Sequence, residues 1–308
     1  MTGQRSVVVI GNFDGVHAGH RALLAQAQAV APDLPLIVVT FWPHPMSVLH
    51  PDEAPQLLCD LPERIRLLRQ AGAHDVRVVE FTPRTATWSP KHFVDFTILP
   101  LRPQVVVVGE NFRFGHRAAG TVEVLREVAA GAFTVVSLPL LGDQATLSSS
   151  RVRAALAAGD VRQAAHMLGR PFRFSGIVVL GDQRGRTIGY PTANLTVPMD
   201  RACPSDGVYA GWLTRLDTDQ RYPAAISVGS NPTFDGVERR VETHVLDRDD
   251  LELYGVPIGI DFIDRLRGQV RFDGVEALVG QMVHDVEQAR DLLNKRGVPF
   301  TEKLGQSR

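Results

Sequence analysis

The sequence predicts an α/β plus β protein: a parallel sheet covered by helices, then an antiparallel β-barrel followed by one long C-terminal helix. Strand-like and helix-like patterns alternate from residue 6 to about residue 140, which is typical of a parallel sheet. From residue 172 onward, short β-branched runs are separated by clusters of Gly, Pro, Asn and Asp, which favours a barrel. A helical pattern over residues 273–296 follows the last of these runs.

Apolar runs and end signals place the individual elements. In the first region, strands are predicted at residues 7–10, 36–41, 75–81, 105–108 and 133–138. The helices between them are predicted at residues 18–31, 61–71, 90–98 and 121–130. Residues 154–168 predict two short helices that bridge the regions, and the barrel strands are predicted at residues 174–180, 207–216, 222–228, 241–246 and 259–262.

Composition limits the classes of function. The 308 residues suffice for two domains, and a net charge of −1 gives no sign of a nucleic-acid binder. The only cysteines, Cys59 and Cys203, lie in different halves, which argues against a disulfide framework and favours the reducing cytoplasm. No apolar run has membrane-spanning length, and the first residues lack a signal-peptide pattern. We therefore expect small-molecule partners, no nucleic acid or membrane, and a monomer or weak homo-oligomer.

The most informative stretch, GNFDGVHAGH, comes directly after the first predicted strand. Gly11 and Gly15 allow the backbone to approach a ligand closely, and Gly19 leaves space between two imidazoles. His17 and His20 are three residues apart at the start of a helix, so they face the same end of the turn. Because a helix N-terminus favours anions, we expect a phosphate site here; two ordinary surface histidines are the alternative.

Aromatic side chains collect where other strands of the sheet end. Phe41 ends the second predicted strand, and the segment after the fourth strand, GENFRFG, contains Asn111 and Phe114. Exposed aromatic rings are costly unless they stack on something. Because ligands bind at the carboxyl ends of parallel strands, we expect a flat ring to stack on Phe41 or Phe114, with Asn111 at its edge. The alternative is that Phe112 or Phe114 packs under the edge of the sheet.

A serine cluster, LSSSRVR, opens a helix after the fifth predicted strand. Serine is a good N-cap, which is the structural interpretation. The hydroxyls of Ser149 and Ser150, the free N–H groups of the helix and the guanidinium of Arg153 together also predict a phosphate clamp.

The barrel region has its own candidate site in the stretch GDQRGRTIGYPTANL. Gly181, Gly185 and Arg186 predict a phosphate-binding loop, and the sequence contains no Walker A motif that would serve instead. Thr192 and Asn194 point the same way if the backbone is extended. Their oxygens are hard ligands, which predicts a Mg²⁺ site beside ATP phosphates.

These motifs resemble those of one family, in order and over nearly the whole chain. GNFDGVHAGH is similar to the HxGH motif of nucleotidylyltransferases, and LSSSRVR to the ISSTxIR motif that closes their site. The segment RGRTIGYPTAN resembles the phosphate loop and PTAN motif of riboflavin kinases, and RVETH resembles their VExH motif. Together they resemble the bacterial bifunctional riboflavin kinases/FMN adenylyltransferases, also called FAD synthetases.

The resemblance implies three segments: a Rossmann-like FMN adenylyltransferase domain at residues 1–156, a helical linker at 157–171 and a riboflavin kinase-like barrel at 172–308. The barrel would phosphorylate riboflavin to FMN with ATP, and the first domain would adenylylate FMN to FAD and release pyrophosphate. ATP is then a co-substrate, Mg²⁺ a cofactor, and riboflavin, FMN and FAD are substrates or products.

The resemblance also implies roles for single residues. A primary alcohol must lose its proton as it attacks phosphorus, so Glu242 is expected to be the base of the kinase step. FMN instead attacks through a phosphate whose second pKa is about 6, which needs no strong base. The adenylyl site is therefore expected to supply donors for the charge on the α-phosphate, and the family pattern assigns this role to His17, His20 and Arg153.

The family pattern adds Phe13 and Asp14 to the phosphate site and Arg267 to the flavin site. Two alternatives remain from the residues themselves. One is a different nucleotidylyltransferase, such as a cytidylyltransferase, fused to an unrelated barrel. The other is a non-catalytic flavin-binding protein that has kept the fold.

Overall fold

The computed structural model describes residues 4–139, 147–181, 189–233 and 236–295. The chain divides into two compact units: unit 1 is Met1–Arg151 with Met167–Gly169, and unit 2 is Val152–His166 with Arg170–Arg308. Unit 1 contains a parallel sheet and unit 2 an antiparallel, nearly closed barrel, so the predicted fold class is confirmed. The domain borders predicted at residues 156 and 171 stay predictions.

Unit 1 is built on a five-stranded sheet in which all neighbouring strands are parallel and the order is β3-β2-β1-β4-β5. Its strands are Ser6–Ile10 (β1), Leu36–Trp42 (β2), Asp75–Glu80 (β3), Pro103–Gly109 (β4) and Thr134–Leu138 (β5). All five residues of β1 are buried. Val7 and Val9 pack with Leu24 on one face of the sheet, while Val8 and Ile10 pack with the second core on the other face. This period of two explains the unbroken apolar run of a central strand.

Helices of unit 1 pack on both faces of this sheet, and each α-helix begins at a side-chain cap. The helices are Ala18–Val30 (α1), Pro45–Leu49 (α2), Leu61–Gln70 (α3), Pro90–Phe93 (α4) and Val122–Ala129 (α5). Each begins after a residue whose side chain accepts a backbone N–H of the first turn: His17, His44, Asp60, Ser89 and Thr121. The helix predicted over residues 90–98 is α-helical only to Phe93 and continues as a π-helical turn over Val94–Ile98.

Two further helices, Ser149–Ala157 (α6) and Val161–Leu168 (α7), precede the barrel of unit 2. The barrel strands are Phe172–Ile177 (β6), Ala193–Thr196 (β7), Gly207–Arg215 (β8), Arg221–Thr233 (β9), Gly236–Val245 (β10) and Pro257–Arg267 (β11). They pair antiparallel in the order β6-β11-β8-β9-β10-β7. A bridge between Val179 and Asn194 brings the two edges of the sheet together. The C-terminal helix Val275–Lys295 (α8) buries Ala289 and Leu293 against Ala210 and Ala225.

Candidate active sites in the two units

The turn that follows β1 is held in a special backbone conformation. Phe13, Gly15 and Val16 all have positive φ angles, of 51°, 76° and 38°. A β-carbon on Gly15 would lie 2.7 Å from Cδ1 of Leu58, so only glycine fits there. The Gly15 N–H donates to the sulfur of Cys59 at 3.3 Å. The turn is therefore fixed by packing before it enters α1.

The structure brings the two predicted histidines together at the start of α1. Nδ1 of His17 accepts the backbone N–H of His20 at 3.4 Å and so caps the helix. Because Nδ1 accepts, the neutral His17 ring carries its proton on Nε2. The His17 and His20 rings stack, with centroids 3.6 Å apart and an interplanar angle of 19°.

His20 is held in its neutral form. Burial, followed by the electrostatic influence of His17, Arg64 and Arg21, lowers its pKa well below the usual value of 6.5. Its Nδ1 atom is buried and meets no hydrogen-bond partner in the described part of the chain. A neutral imidazole of this kind offers one N–H donor near neutral pH.

The serine cluster lies beside the same turn. The hydroxyl of Ser149 donates to the carbonyl oxygen of Asp14 at 2.9 Å. Ser148 accepts the N–H of Arg151 at 3.3 Å, which is the capping role expected of a serine here. Ser150 is exposed, and Arg153 is half-buried one turn further along α6.

Two predicted phosphate-site residues face inward instead. The ring of Phe13 is 1% exposed and meets His20 edge-on at 5.1 Å. Both carboxylate oxygens of Asp14 accept the N–H of Leu58 at 3.1 Å, and the Asp14 side chain is buried. These buried side chains anchor the turn. The predicted phosphate contacts of Phe13 and Asp14 stay predictions, and we expect backbone N–H groups to make them.

The predicted flavin-site residues of unit 1 differ in how far they are buried. Phe114 is buried beside Phe93 and Phe112, at centroid distances of 5.5 and 5.3 Å. A β-carbon on Gly120 would lie 2.6 Å from the Phe114 ring, so that side is also filled by protein. The ring of Phe114 is therefore part of the core, and flavin stacking on it stays a prediction. Phe112 is half-buried and Asn111 is exposed. Phe41 is half-buried beside Phe93.

The second predicted site lies where β7 pairs with β10 in unit 2. Asn194 stands directly opposite Glu242 in the register, so the two side chains share one face of the sheet. Thr192 precedes Asn194 by two residues, and the Asn194 amide donates to the Thr192 carbonyl at 3.1 Å and to its hydroxyl at 3.3 Å. The predicted neighbourhood of Glu242, Thr192 and Asn194 is therefore present in the structure.

The loop before β7 approaches Asn194 closely. A β-carbon on Gly181 would lie 2.5 Å from Nδ2 of Asn194, so any larger residue there would displace the Asn194 amide. Gly185 and Arg186, also predicted to bind phosphate, lie outside the described residues. A cavity of about 690 Å³ opens at this place; it is lined by Gly181, Thr192, Asn194, Thr243, Arg248 and Tyr254, among others, but not by Glu242.

Arg267 does not reach this cavity. Its Nε and Nη2 atoms donate to the Asp285 carboxylate at 2.9 and 2.7 Å, which ties β11 to α8. Asp285 is buried, so the guanidinium neutralises a charge inside the unit. The guanidinium of Arg267 thus forms a structural ion pair in this structure, and its flavin contact stays a prediction.

His244 is a site residue to which the sequence pattern gave no role. Its Nδ1 lies 3.0 Å from the carbonyl oxygen of Pro191. A carbonyl can only accept, so Nδ1 is the donor, and Tyr190 packs edge-on against the ring at 5.1 Å. His244 therefore holds the segment that carries Thr192. The sequence does contain a signal for this contact. His244 follows Glu242 by two residues, which places both side chains on the same face of the strand.

The oxygens around Asn194 fit a magnesium ion better than a softer metal. Among the described residues, no group of three or more His, Cys, Asp or Glu side chains is placed to hold a metal. Mg²⁺ needs few protein ligands because it keeps several waters and binds substrate phosphates. The hydroxyl of Thr192 and the amide oxygen of Asn194 match that demand.

The structure contains two separate clusters of polar side chains, at a histidine-capped helix in unit 1 and at an Asn–Glu pair in unit 2, and this is the arrangement expected of a transferase with two phosphate-handling sites. Family models described as FAD synthetase and riboflavin kinase match residues 1–152 and 168–293. The bifunctional riboflavin kinase/FMN adenylyltransferases of Bacillus subtilis and Escherichia coli are 36% and 37% identical, each alignment covering 92% of both chains. The chain belongs to the family of bifunctional riboflavin kinases/FMN adenylyltransferases, which confirms the resemblance drawn from its motifs.

A solved structure from Streptococcus pneumoniae, described as a macrolide-efflux protein, has the same overall fold. It is 35% identical, with a TM-score of 0.83, and the match covers 94% of this chain and 95% of that one. In the described part of this chain, no helix combines the length and the apolar character that crossing a membrane requires.

Proposed function

We infer that this protein makes FAD in two steps: ATP phosphorylates riboflavin to FMN, and a second ATP then adenylylates FMN to FAD with release of pyrophosphate. The observation that carries this function is the match of both family models, in order, to a chain that aligns with its bifunctional relatives over 92% of its length. Each matched region has its own cluster of polar side chains suited to one of the two reactions.

In the kinase step, the barrel must activate an alcohol. Glu242 accepts the proton of the ribityl hydroxyl as that oxygen attacks the γ-phosphate of ATP. Thr192 and Asn194 would hold Mg²⁺, and the bound ion would offset negative charge on the ATP phosphates. The register of β7 and β10 supports this assignment, because it places Asn194 opposite Glu242.

In the adenylyl step, unit 1 must stabilise charge rather than remove a proton. The attacking group is the FMN phosphate, which is largely ionised near neutral pH. The ring N–H groups of His17 and His20 donate hydrogen bonds to the α-phosphate of ATP. The hydroxyls of Ser149 and Ser150 add two donors at the start of α6. The neutral state of His20 supports this assignment, since a neutral ring keeps one donor without a change in charge. Arg153, on the same helix, is proposed to contribute a further donor.

The test is the purified protein with riboflavin, ATP and Mg²⁺, with the flavins separated by chromatography and pyrophosphate measured in parallel. We expect FMN to form first and FAD to follow, with one pyrophosphate for each FAD. Loss of both products on addition of EDTA, with recovery on excess Mg²⁺, would support the metal assignment. Flavin binding without turnover would instead favour a non-catalytic flavin carrier, and FMN formation without FAD would favour another nucleotidylyltransferase in unit 1.

We also propose that the protein works in the cytoplasm on small molecules only, as a monomer or weak homo-oligomer. Sedimentation of the purified protein at several concentrations measures the state of association directly.

A further inference from the structure

Arg64 is a fully buried arginine inside unit 1, with an exposed fraction of 0%. It lies on α3 on the same face as Leu67 and Leu68, so the helix carries it into the core with them. A buried guanidinium is costly unless its charge and its N–H groups are matched. Because the side chain has no exposed surface in this structure, we assign it an indirect role in the reaction.

The guanidinium contacts two segments that end at the site. Its Nη2 lies 3.5 Å from Oδ1 of Asp14, in the turn after β1. Its Nη1 donates to the carbonyl oxygen of Phe41 at 3.2 Å, near the end of β2, and its Cζ lies 5.3 Å from the centre of the Trp42 ring. Arg64 therefore joins the turn that leads into α1 to the end of the neighbouring strand.

Asp14 connects this contact to the histidines. It is three residues before His17, its carbonyl oxygen accepts the hydroxyl of Ser149, and its neighbour Phe13 packs edge-on against His20. A shift of Asp14 would therefore move the helix start and the serine cluster together.

We propose that Arg64 is a positioning residue for adenylyl transfer, which fixes the histidine turn against the end of β2. The inference rests on the proposed adenylyltransferase activity of unit 1. Its physical reason is that a misplacement of about 1 Å in reacting groups can cost on the order of 10²-fold in rate. The charge of Arg64 has a second effect: burial is the main cause of the lowered pKa of His20, and Arg64 lowers that pKa further, together with His17 and Arg21.

Variants of the full-length chain separate the geometry from the charge. Arg64→Lys keeps a positive charge but loses the planar fork that reaches Asp14 and Phe41 together. We expect a loss of about tenfold or more in kcat for FMN-to-FAD conversion, with the NMR titration of His20 unchanged. Arg64→Met should lower kcat equally and also move the His20 titration to higher pH.

Two controls show whether a loss reflects misfolding. Riboflavin phosphorylation by unit 2 should stay at the wild-type rate in every variant. Arg66→Met changes an arginine of the same helix whose side chain is 44% exposed and pairs with Glu63, and we expect both activities to be unchanged. The double variant Asp14→Asn/Arg64→Met leaves no unpaired buried charge, so it should fold even if Arg64→Met does not.

Wild-type kcat for FAD formation in Arg64→Lys, or in a folded double variant, would overturn the proposal. If the Met variants do not fold, the lysine variant decides alone. Failure of the proposed function has a different signature, because the wild-type protein itself would then make no FAD from FMN and ATP.

Discussion

Glu242 is the residue on which the kinase assignment depends most directly. It stands opposite Asn194 and is the carboxylate proposed to accept the hydroxyl proton of riboflavin. Glu242→Gln keeps the shape and removes the base, so we expect FMN formation to fall by about 10²–10⁴-fold. Conversion of added FMN to FAD should be unchanged, and both rates can be followed by chromatography of the flavins.

The matched control is Glu238→Gln. Glu238 lies four residues earlier on the same face of β10. Its carboxylate accepts hydrogen bonds from the Thr196 hydroxyl and the Arg240 guanidinium. We expect less than a twofold change in FMN formation. Equal losses in the two variants would mean that the strand, rather than the base, had been disturbed.

The lowered pKa of His20 predicts how acid affects unit 1. As the pH falls through 6.5, the unfolded chain takes up a proton on this ring, whereas the folded unit does so only at lower pH. The contribution of the neutral His20 ring to the free energy of unfolding is therefore fully present above pH 6.5. It is lost progressively as the pH falls below 6.5. The slope from one such group is at most about 1.4 kcal/mol per pH unit.

Hydrogen exchange of the β1 amides between pH 8 and pH 5.5 measures this effect. The free energy of opening should fall more steeply with acid in the wild type than in His20→Gln. His50→Gln changes an exposed histidine and should follow the wild type. Parallel curves for the wild type and His20→Gln would show that His20 titrates normally in the folded unit.

Single residues were predicted best where a motif and a local geometry agree. The histidine pair follows from spacing at the start of a helix. The Glu242–Asn194 neighbourhood was implied by the family motifs, and the pairing of β7 with β10 provides it in the structure. Arg64 was missed because an arginine in an amphipathic helix is normally assigned to solvent, although its i, i+3, i+4 spacing with Leu67 and Leu68 places it on the apolar face. The ion pair of Arg267 was not predicted because its partner Asp285 lies 18 residues away, on another element.

At the level of elements, the close approach of the loop before β7 offers a sharp test. In Gly181→Ala, the new β-carbon would lie 2.5 Å from Nδ2 of Asn194, so the Asn194 amide must shift from its present position. We expect FMN formation to fall at least about tenfold, with a higher KM for ATP and unchanged conversion of FMN to FAD. Steady-state kinetics of both reactions measure this.

Gly280→Ala is the control for this substitution. Gly280 lies in α8, where nothing stands within 4 Å of an added β-carbon, and alanine favours a helix by about 1 kcal/mol. Wild-type kinetics with a slightly raised melting temperature are expected. Normal kinase activity in Gly181→Ala would show that Asn194 tolerates displacement and does not hold the metal.

Elements with a long apolar or helical pattern were predicted to within one or two residues, such as β1, α1 and α8. The short strand β7 was not predicted as a strand, because its four residues are defined by pairing with β10 and not by their own pattern. The strands β9 and β11 extend beyond the predicted ranges for the same reason: their pairing continues through residues of low strand propensity.

For the molecule as a whole, the two reactions explain why two different sites occur in one chain. An alcohol needs a base, whereas a phosphate is already a nucleophile and needs donors around the phosphorus it attacks. The fold class followed from the alternation of strand and helix patterns and the family from motif order, and a sequence displays both directly. How FMN travels from one site to the other is a property of the assembled molecule, which no motif records.

A mixture of two inactive variants tests this division at the scale of the whole protein. Glu242→Gln should retain only FMN-to-FAD conversion, and His20→Ala only riboflavin phosphorylation. Because FMN is a complete, soluble product of the first step, the mixed proteins should convert riboflavin and ATP to FAD although neither does so alone. Chromatography should show free FMN accumulating before FAD, with a lag that shortens as more Glu242→Gln protein is added. A mixture that makes FMN but no FAD, while Glu242→Gln still converts added FMN, would mean that the first site does not release its product.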